Sequence, residues 1–516
     1  MNPGNNRTMK GRKTMEYKKE YDAIWFGGGA AGRFGATYMK ALGGDPLIIE
    51  KHSLGGECHV CRCAFENYVA DQASMAELLK LYSGLAWYPK FDLRNISMAK
   101  VVEVYRNVGQ KAFFDMMAHQ TVKQLGCDVV WGDGRIIDKN TVEVDGKRYR
   151  GRNLVMGTGS RPTIPDIPGA HLENVWTYRD HPEIRKDPKR LVVIGGGKIG
   201  IGKALMFAPF NIEVTILERF KSLEKWDWEI RNWVLGDMKR RNITLMEGVE
   251  VKGIKGDGRV ESVVAEINGK ITEFPCDAVM MSVGLTPESE LAAPLGLKIG
   301  RFNEIVIDKG CRTSMPGVYA IGDAAGPPYF MAVARKRGMI AAKNIMGENT
   351  EWDDTLPLPD HIYLPPMEAT AVGLTEQEAR EKYGDVLVIR VPWGKRPKKT
   401  EPLTYISNFE NQGLPVCGRA HSLNLFFYGE NRNGLHKAIV DPKTRRFLGF
   451  HHVGDGAKTG FQYLSYLLKQ GWTVDQMANL HEIFLNAEHF VQLTRLVAGQ
   501  KQLHGFAAQE VTEDFS

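Results

Sequence analysis

Three closely spaced cysteines are the side chains of this sequence best suited to redox or nucleophilic chemistry. They lie in the segment 55–66, which begins with two glycines: Cys58, Cys61 and Cys63. Pairing Cys58 with Cys61 gives the Cys-x-x-Cys spacing of redox and metal sites, whereas pairing Cys58 with Cys63 gives a Cys-x4-Cys spacing. Both pairings are compatible with the spacing alone, so the surrounding elements have to distinguish them.

A glycine-rich turn precedes the cysteines. The apolar segment 23–26 predicts a strand, a helix-like segment follows at 33–42, and between them three glycines form a Gly-x-Gly-x-x-Gly pattern, Gly27, Gly29 and Gly32. Such glycines permit a tight turn and let backbone N–H groups at a helix N-terminus approach a pyrophosphate. Glu50 ends the next predicted strand, 46–50, at the spacing of a carboxylate that binds ribose hydroxyls. This part of the chain therefore predicts a dinucleotide site.

The same pattern occurs a second time. The predicted strand 190–194 runs into a second set of glycines, Gly195, Gly197 and Gly200, and the following strand, 214–218, ends at Glu218. Glu218 would accept a ribose 2′-hydroxyl and repel a 2′-phosphate, which favours NADH, whereas the neighbouring Arg219 and Lys221 could accept that phosphate. Two complete βαβ patterns are far stronger evidence for nucleotide binding than one glycine motif.

The order of these features resembles the FAD-dependent pyridine nucleotide disulfide oxidoreductases, the family of glutathione, lipoamide and mercuric reductases. Segment 313–326 closely resembles the second FAD signature of that family, and segment 154–162 resembles its connection to the second nucleotide domain. The resemblance implies FAD-binding residues Gly27, Gly29, Gly32, Glu50, Gly56, Gly159 and Asp323. It implies residues for NADPH or NADH at Gly195, Gly197, Gly200, Glu218 and Arg219. It also implies that Cys58 and Cys63 form the redox pair, with Cys63 on the flavin side.

The resemblance covers nearly the whole chain after residue 20 and implies a glutathione-reductase-like α/β fold. Two Rossmann-like domains, for FAD and NAD(P), would be followed by a C-terminal α+β dimerisation domain in a homodimer. The predicted limits are 1–20 for a basic flexible tail, 21–165 and 286–359 for the two parts of the FAD-binding domain, 166–285 for the NAD(P)-binding domain and 360–516 for the dimerisation domain.

The C-terminal region departs from ordinary disulfide reductases. Those enzymes carry a proton-shuttling His and an orienting Glu there, and in the dimer the second subunit supplies this dyad. In this chain the two positions are Phe484 and His489. Because a phenyl ring carries no proton, it would shield the cysteine pair from protonation and water. This replacement resembles the branch that contains 2-ketopropyl coenzyme M oxidoreductase/carboxylase, which cleaves a thioether and fixes CO2.

Further residues of this chain resemble those at the corresponding positions of that branch. Arg33 and Arg335 fall where the carboxylase grips the sulfonate of coenzyme M, and two guanidiniums suit a tetrahedral oxyanion because each offers a fixed fork of donors. The positions implied to line the substrate pocket are Met116, Met331 and Gln492.

Other positions differ from the branch or from the wider family. The carboxylase has a His two residues after its first cysteine, where this chain has Val60 with His59 one place away, and a second His of its pocket aligns near Phe113. The Lys that ordinary reductases carry shortly after the second cysteine is replaced by Glu66 or Asn67. Its usual Glu partner is replaced by Gly202, so we expect an atypical nicotinamide site.

Three functions are consistent with these residues. The first is a reductive C–S lyase that acts on an anionic thioether such as 2-ketopropyl coenzyme M and carboxylates the enolate with CO2, or protonates it. The second is an ordinary flavin disulfide or thiol reductase with an altered acid. The third is a catalytically silent flavoprotein that senses redox state. Cys58 and Cys63 argue against the third function, and Phe484 argues against the second.

Composition bounds the remaining possibilities. A chain of 516 residues suggests about three domains. Its 43% hydrophobic and 25% charged residues are typical of a soluble globular protein. A net charge of +6 suits an anionic substrate but is too small to predict nucleic-acid binding. Because no secretory signal or membrane-spanning run is visible, we expect a cytoplasmic protein without a membrane partner. We also expect no metal site.

Overall fold

The computed structural model describes residues 19–83, 90, 92–109, 120–392, 404–406, 435–454, 457–481, 494–495 and 497–500. Its strands, in chain order, are β1 Glu20–Phe26, β2 Pro46–Glu50, β3 Asp128–Trp131, β4 Gly134–Asp138, β5 Thr141–Val144, β6 Lys147–Met156, β7 Ser160–Pro162, β8 Val175–Trp176, β9 Arg190–Ile194, β10 Glu213–Glu218, β11 Thr244–Glu247, β12 Val249–Lys255, β13 Ser262–Ile267, β14 Lys270–Pro275, β15 Ala278–Met281, β16 Leu285–Pro287, β17 Val318–Ala320, β18 Asp360–Leu364, β19 Met367–Gly373, β20 Leu387–Pro392, β21 Thr404–Ile406, β22 Leu435–Val440 and β23 Phe447–Gly454.

The α-helices of the described residues are α1 Ala30–Ala41, α2 Glu57–Val60, α3 Cys63–Ser83, α4 Met98–Val104, α5 Gln120–Gln124, α6 Lys198–Phe207, α7 Trp228–Arg240, α8 Met331–Ile345, α9 Glu376–Tyr383, α10 Ala457–Lys469 and α11 Val474–Ala478. None of these helices is long and apolar enough to cross a membrane. The chain divides into two compact units, which are described separately below. The domain limits drawn from the sequence stay predictions.

The first unit takes its described residues from Met1–Val60, Gln110–Arg161 and Leu285–Trp352. Its main sheet has the order β3-β2-β1-β6-β5-β4, and β17 also pairs with β6. The pairs β1–β2, β2–β3, β1–β6 and β6–β17 are parallel. Every residue of β2 is buried, as expected for a parallel strand covered on both faces. The chain order reverses between β1 and β6, and ligands of doubly wound sheets bind at such a point.

The second unit takes its described residues from Cys61–Gly109, Pro162–Gly284 and Asp353–Ser516. It contains a parallel sheet of order β11-β10-β9-β15-β8, which resembles the parallel part of the first unit's sheet. It also contains a small antiparallel sheet of order β12-β13-β14. A six-stranded sheet of order β18-β19-β23-β22-β20-β21 is built from residues after 353. Its pairs are antiparallel except β20–β21.

A buried ionic cluster joins helices α7 and α9 to the six-stranded sheet of the second unit. The Nζ atom of Lys437, on β22, lies 2.9 Å from Asp227, 2.8 Å from Glu229 and 2.6 Å from Glu376. Asp227 caps the N-terminus of α7, where its carboxylate accepts a hydrogen bond from the backbone N–H of Glu229. Burial alone would lower the pKa of Lys437, but the three carboxylates raise it above its ordinary value. The ammonium group is therefore charged and held from two elements at once.

Replacing Lys437 by Met should destabilise the protein strongly, because three carboxylates would lose their buried counter-charge. Breaking one partner of a buried ion pair costs about 3 to 5 kcal/mol. Urea titration followed by circular dichroism measures the loss as a lower midpoint. Lys252→Met is the matched control, since Lys252 pairs with Glu250 and Glu266 on the surface, where such pairs contribute about 0 to 1 kcal/mol.

The same titration repeated across acidic pH tests the electrostatic origin of the loss. Burial would raise the pKa of Asp227 and of Glu376, but Lys437 lowers both below their ordinary values of 3.8 and 4.5. Their stabilisation is thus present above those values and is lost as the pH falls through the lowered ones. Equal effects of the two Lys→Met changes at neutral pH would contradict this account.

Candidate functional site

The first glycine motif forms a turn that tolerates no side chains at two of its positions. Gly27 follows β1 with a φ of +107°, and a Cβ atom there would lie 2.3 Å from the carbonyl oxygen of Gly157. A Cβ on Gly32 would lie 1.9 Å from the carbonyl oxygen of Gly27. At Gly29, the N-cap of α1, the nearest atom to a built Cβ is the Cα of Gly56 at 4.0 Å. The turn is closed on the protein side and open where a phosphate would approach the helix N-terminus.

Glu50 is held at the end of β2 by backbone donors. Its Oε2 accepts a hydrogen bond from Gly28 N at 2.7 Å, and its Oε1 accepts from His52 N at 2.7 Å and Ser53 N at 3.1 Å. The carboxylate is thereby fixed beside the glycine turn. Because each carboxylate oxygen has more than one acceptor site, the group can also accept ribose hydroxyls.

The second motif repeats this geometry in the other unit. Gly195 has a φ of +104°, a Cβ on Gly200 would lie 1.9 Å from the carbonyl oxygen of Gly195, and a Cβ on Gly197 would meet nothing within 4 Å. Glu218, at the end of β10, accepts a hydrogen bond from Gly196 N and another from Phe220 N at 2.7 Å. Arg219 is exposed, with its guanidinium 5.6 Å from the ring centroid of Phe220.

Asp323 and Gly159, which the family resemblance assigns to FAD binding, both lie in the first unit. Asp323 lies in a short 3₁₀ turn after β17, and its Oδ2 accepts a hydrogen bond from Ser160 Oγ at 2.7 Å. Gly159 has a φ of +81°, and nothing lies within 4 Å of a Cβ built on it. Two open glycine turns, each with an oriented carboxylate, fit one dinucleotide per unit. Residues of the first unit would hold FAD, and those of the second NAD(P)H.

The cysteines differ in their redox state. Cys58 and Cys63, the pair that the family resemblance assigns to redox chemistry, are disulfide-bonded. The remaining cysteines of the described chain are buried thiols, Cys61, Cys127, Cys276 and Cys311. Burial raises the pKa of the Cys127 thiol to about 11 and that of Cys276 to about 12, so these thiols are protonated and unreactive at neutral pH.

Cys58 lies beside one of the predicted substrate residues. Its Sγ is 3.7 Å from the Sδ of Met331, the first residue of α8. Met331 is exposed by 38%, so its side chain is accessible to a ligand. Arg335 follows one helical turn later, on the same face of α8.

The two predicted anion-binding arginines are close enough to repel each other. The pKa of Arg33 is lowered, first by burial and then by the charge of Arg335. His59, the residue after Cys58, is buried, and its pKa is lowered to about 4 by burial and by the charges of Arg33 and Arg335. The first unit thus gathers Cys58, Met331 and both arginines around one place. The other predicted site residues, Met116, Phe484, His489 and Gln492, lie outside the described residues.

A buried ion pair beside the cysteine helix was missed from the sequence. Glu66, on α3, lies 2.6 Å from the Nζ atom of Lys203, on α6, and the lysine side chain is only 2% exposed. The sequence predicts an atypical nicotinamide site, since Glu66 stands where the resemblance places a Lys and Gly202 where it places a Glu. In the structure Glu66 pairs with the residue after Gly202, so the charges of the pair are exchanged and the cation is one residue further along α6. A buried Lys directly after Gly202 is the signal that could have revealed it.

His181 extends this pair toward the third cysteine. Its Nδ1 is 3.4 Å from Lys203 Nζ and 3.2 Å from the carbonyl oxygen of Cys61, and its ring stacks on Phe65 with 4.7 Å between centroids. Burial, and then the charge of Lys203, lowers the pKa of His181 well below its ordinary value. The imidazole is therefore neutral. The ammonium group of Lys203 is balanced by Glu66.

Two family models match the chain. The model described as Pyridine nucleotide-disulphide oxidoreductase matches residues 21–341, and the dimerisation domain of the same family matches residues 358–486. Together they account for both nucleotide-type sheets and most of the C-terminal region.

Curated relatives align over almost the full length. Mercuric reductase of Staphylococcus aureus is 25% identical over 507 residues, which cover 96% of this chain and 86% of the relative. Dihydrolipoyl dehydrogenase of Mycoplasma pneumoniae is 27% identical over 475 residues, covering 89% and 94%.

Among solved structures, the HOCl-induced flavoprotein disulfide reductase RclA from Escherichia coli superposes with a TM-score of 0.75 at 20% identity. The superposition covers 92% of this chain and all of that one. The predicted glutathione-reductase-like fold class is thereby confirmed.

The exchanged ion pair gives a stability test. Lys203→Met should lower the free energy of unfolding by about 3 to 5 kcal/mol, because Glu66 would be left as a buried carboxylate without its cation. The double variant Glu66→Gln/Lys203→Met removes both charges and should recover most of that loss. Urea titration of both variants and of Glu66→Gln provides the double-mutant cycle.

Lys198→Met is the control on the same helix, since Lys198 pairs with Asp360 in a partly exposed position and should contribute about 0 to 1 kcal/mol. Additive effects of the changes at positions 66 and 203 would show that the two side chains are not energetically coupled.

Proposed function

Because the chain belongs to the pyridine nucleotide-disulphide oxidoreductase family, we propose that it uses FAD and NAD(P)H to cleave the C–S bond of an anionic thioether reductively. The substrate class is represented by 2-ketopropyl coenzyme M, and the enolate product is carboxylated by CO2. The family membership by itself establishes a flavin disulfide oxidoreductase. The match to the dimerisation domain supports a homodimer.

The proposal is carried by the arrangement of Arg33, Arg335 and Met331 around Cys58. The two guanidiniums interact electrostatically, and Cys58 Sγ lies 3.7 Å from the side chain that begins the helix of Arg335. Two guanidiniums that are each partly buried can offer their fixed forks of donors to one tetrahedral anion. A sulfonate held there would place a thioether two carbons away within reach of the Cys58 sulfur. Met331 offers a soft apolar surface to the alkyl chain.

The chemistry of the cysteines follows from this placement. FAD held by the first glycine turn and Glu50 would supply the Cys58–Cys63 disulfide with the two electrons of NAD(P)H. The Cys58 thiolate then attacks the thioether sulfur and the S–C bond breaks, which gives a mixed disulfide with the thiol fragment and an enolate of the ketone fragment. The Cys63 thiolate attacks Cys58 Sγ, re-forms the disulfide and releases the thiol fragment as a thiolate. The two electrons of one NAD(P)H are thus consumed in breaking one C–S bond.

The fate of the enolate depends on what surrounds it. A proton donor would quench it to the ketone, whereas a site without one leaves it to attack CO2 and form a β-keto acid. Phe484, which replaces the usual histidine, has no proton to give. His489 stands at the second position of the former dyad, where we propose that it orients water or stabilises charge.

A thioether-consumption assay distinguishes the proposal from an ordinary disulfide reductase. The holoenzyme is incubated with NADPH or NADH, 2-ketopropyl coenzyme M and labelled bicarbonate, and acetoacetate and acetone are quantified separately. Parallel reactions contain lipoamide or a mixed disulfide in place of the thioether. Turnover of the disulfides with no consumption of the thioether would favour the ordinary reductase.

Arg335→Gln should raise the KM for the anionic thioether about 10- to 150-fold, since a charge-assisted hydrogen bond contributes about 1.5 to 3 kcal/mol. Steady-state kinetics with varied thioether concentration measures the change. Lys336→Gln removes a neighbouring cation on the same helix and should change KM less than threefold, which controls for net charge. An unchanged KM in Arg335→Gln would remove Arg335 from the site.

Phe484→His should move the product from the carboxylated ketone toward the protonated one, because the new imidazole can donate a proton to the enolate. The ratio of labelled acetoacetate to acetone measures this partition while total thioether consumption serves as the internal reference. Phe484→Leu is the matched control, since it keeps an apolar side chain and should keep the wild-type ratio. Equal ratios in all three enzymes would contradict the shielding role of Phe484.

A further inference from the structure

We propose that Arg337 is a positioning residue of the FAD site, which holds the turn of Asp323 in the form that receives the cofactor. The family resemblance assigns Asp323 to FAD binding, and Arg337 lies on α8, the helix that begins at Met331. The inference concerns cofactor binding and goes beyond the proposed function, since it involves neither the thioether nor the enolate. It rests only on the FAD that this function shares with the whole family.

The guanidinium of Arg337 binds three backbone carbonyl oxygens from one short stretch of chain. Its Nη1 donates hydrogen bonds of 3.0 Å to Gly322 O and 2.6 Å to Gly326 O, and its Nη2 donates one of 3.0 Å to Pro327 O. Within the described part of the chain, its hydrogen-bond partners are thus carbonyl oxygens and not carboxylates. Because a guanidinium offers five N–H donors in a fixed plane, it can hold several carbonyl groups at set positions.

These carbonyl groups lie on both sides of Asp323. Asp323 follows Gly322 directly in the 3₁₀ turn Gly322–Ala325, and Gly326, which ends the turn, donates a 3.0 Å hydrogen bond from its N–H to Asp323 O. Ser160 Oγ donates a 2.7 Å hydrogen bond to the Asp323 carboxylate. Arg337 therefore fixes the backbone that carries Asp323, whereas Ser160 fixes the direction of its side chain.

The turn needs such a restraint because glycine flanks it. Gly322 and Gly326 have φ values of +61° and +79°, a region that glycine enters without steric cost. Glycine also has the widest choice of backbone conformations, so ordering a turn between two of them costs conformational entropy. Hydrogen bonds from one guanidinium to both glycine carbonyls remove that freedom during folding. FAD then binds a turn that is already ordered, which favours its affinity.

Arg337 itself is held in place by the packing of α8 on α1. The next residue, Gly338, lies so close to α1 that a Cβ atom there would be 2.4 Å from Ala31 O. A Cβ on Gly322 would lie 3.0 Å from the Cβ of Ala31, so the turn approaches the same residue. The turn and α8 therefore both pack on the start of α1, the helix whose N-terminus is predicted to bind the pyrophosphate of FAD. Arg337 joins them beside this shared contact.

The charge of Arg337 is a second contribution, separate from its hydrogen bonds. Burial lowers the pKa of Arg337, and Asp323 is among the groups whose negative charge opposes that shift. The guanidinium nevertheless stays charged at any ordinary pH. A lysine at this position would keep the positive charge but would lose the planar fork that reaches three carbonyl oxygens. Arg337→Lys and Arg337→Met together therefore distinguish the fork from the charge.

The test measures the affinity of the protein for FAD. The holoenzyme of each variant is diluted in steps, and the fluorescence of released FAD gives the Kd. Arg337→Met should raise this Kd about 10- to 100-fold, because the turn loses several hydrogen bonds from a charged group. Arg337→Lys should raise it about 3- to 10-fold, because the charge and part of the hydrogen bonding remain. Lys343→Met is the matched control on α8, since Lys343 pairs with Glu348 in a partly exposed position and should change the Kd less than about twofold.

A double-mutant cycle separates positioning from a general stabilisation of the fold. If Arg337 acts through Asp323, Arg337→Met should raise the Kd less than about threefold in a protein that already carries Asp323→Asn. An equal effect with and without Asp323→Asn would overturn the inference, because Arg337 would then act independently of Asp323. If Arg337→Met fails to fold, Arg337→Lys completes the same cycle with a smaller amplitude.

The outcomes also separate this inference from the proposed function. Wild-type Kd values in the Arg337 variants would overturn the role of Arg337 and leave the FAD site and the thioether chemistry intact. A wild-type protein that is purified without flavin and takes up none when FAD is added would overturn the cofactor site itself. Both this inference and the proposed function would then fail.

Discussion

A backbone contact that leaves no room for a side chain recurs in both units of this protein. At Gly32 and again at Gly200, a Cβ atom would lie 1.9 Å from a carbonyl oxygen of the turn that begins the motif. Only glycine lets the first helix pack so closely on the strand that precedes it. Because helix and strand pack so closely, three features lie side by side: the helix N-terminus, the oriented glutamate and the open space above the middle glycine. The remaining site residues of each unit are placed relative to that turn.

The charged side chains of the two units have different surroundings. In the second unit, Lys437 lies among three carboxylates and Lys203 lies against one, so each lysine ties separate elements together. In the first unit, burial and then the charge of Arg335 lower the pKa of Arg33. Two guanidiniums, each with a fixed fork of donors, are suited to bind a tetrahedral anion. This contrast distinguishes the candidate substrate site from the structural ion pairs.

The exchange of charges between Glu66 and Lys203 shows how a family feature can persist without its residues. An ion pair across two packed helices needs one acid and one base at facing positions. Either helix can carry the acid, provided that the other carries the base. Lys203 lies one position beyond Gly202, which moves the cation along α6 while its long side chain still reaches α3. Compared one position at a time, the chain differs from the resembled family at both sites. The structure nevertheless has an ion pair between α3 and α6.

The sequence by itself determined the two dinucleotide folds. Glycine spacing, buried strands and a terminal glutamate are local patterns, and each can be recognised within a single βαβ unit. It also indicated the redox cysteines and the two arginines, through resemblance to known family positions. Only the tertiary structure decided that Glu66 faces Lys203, that Cys58 lies beside Met331 and that Arg337 binds the backbone on both sides of Asp323. These contacts join residues from separate helices and loops. Packing and electrostatics in three dimensions decide which residues meet, and spacing along the chain does not encode that.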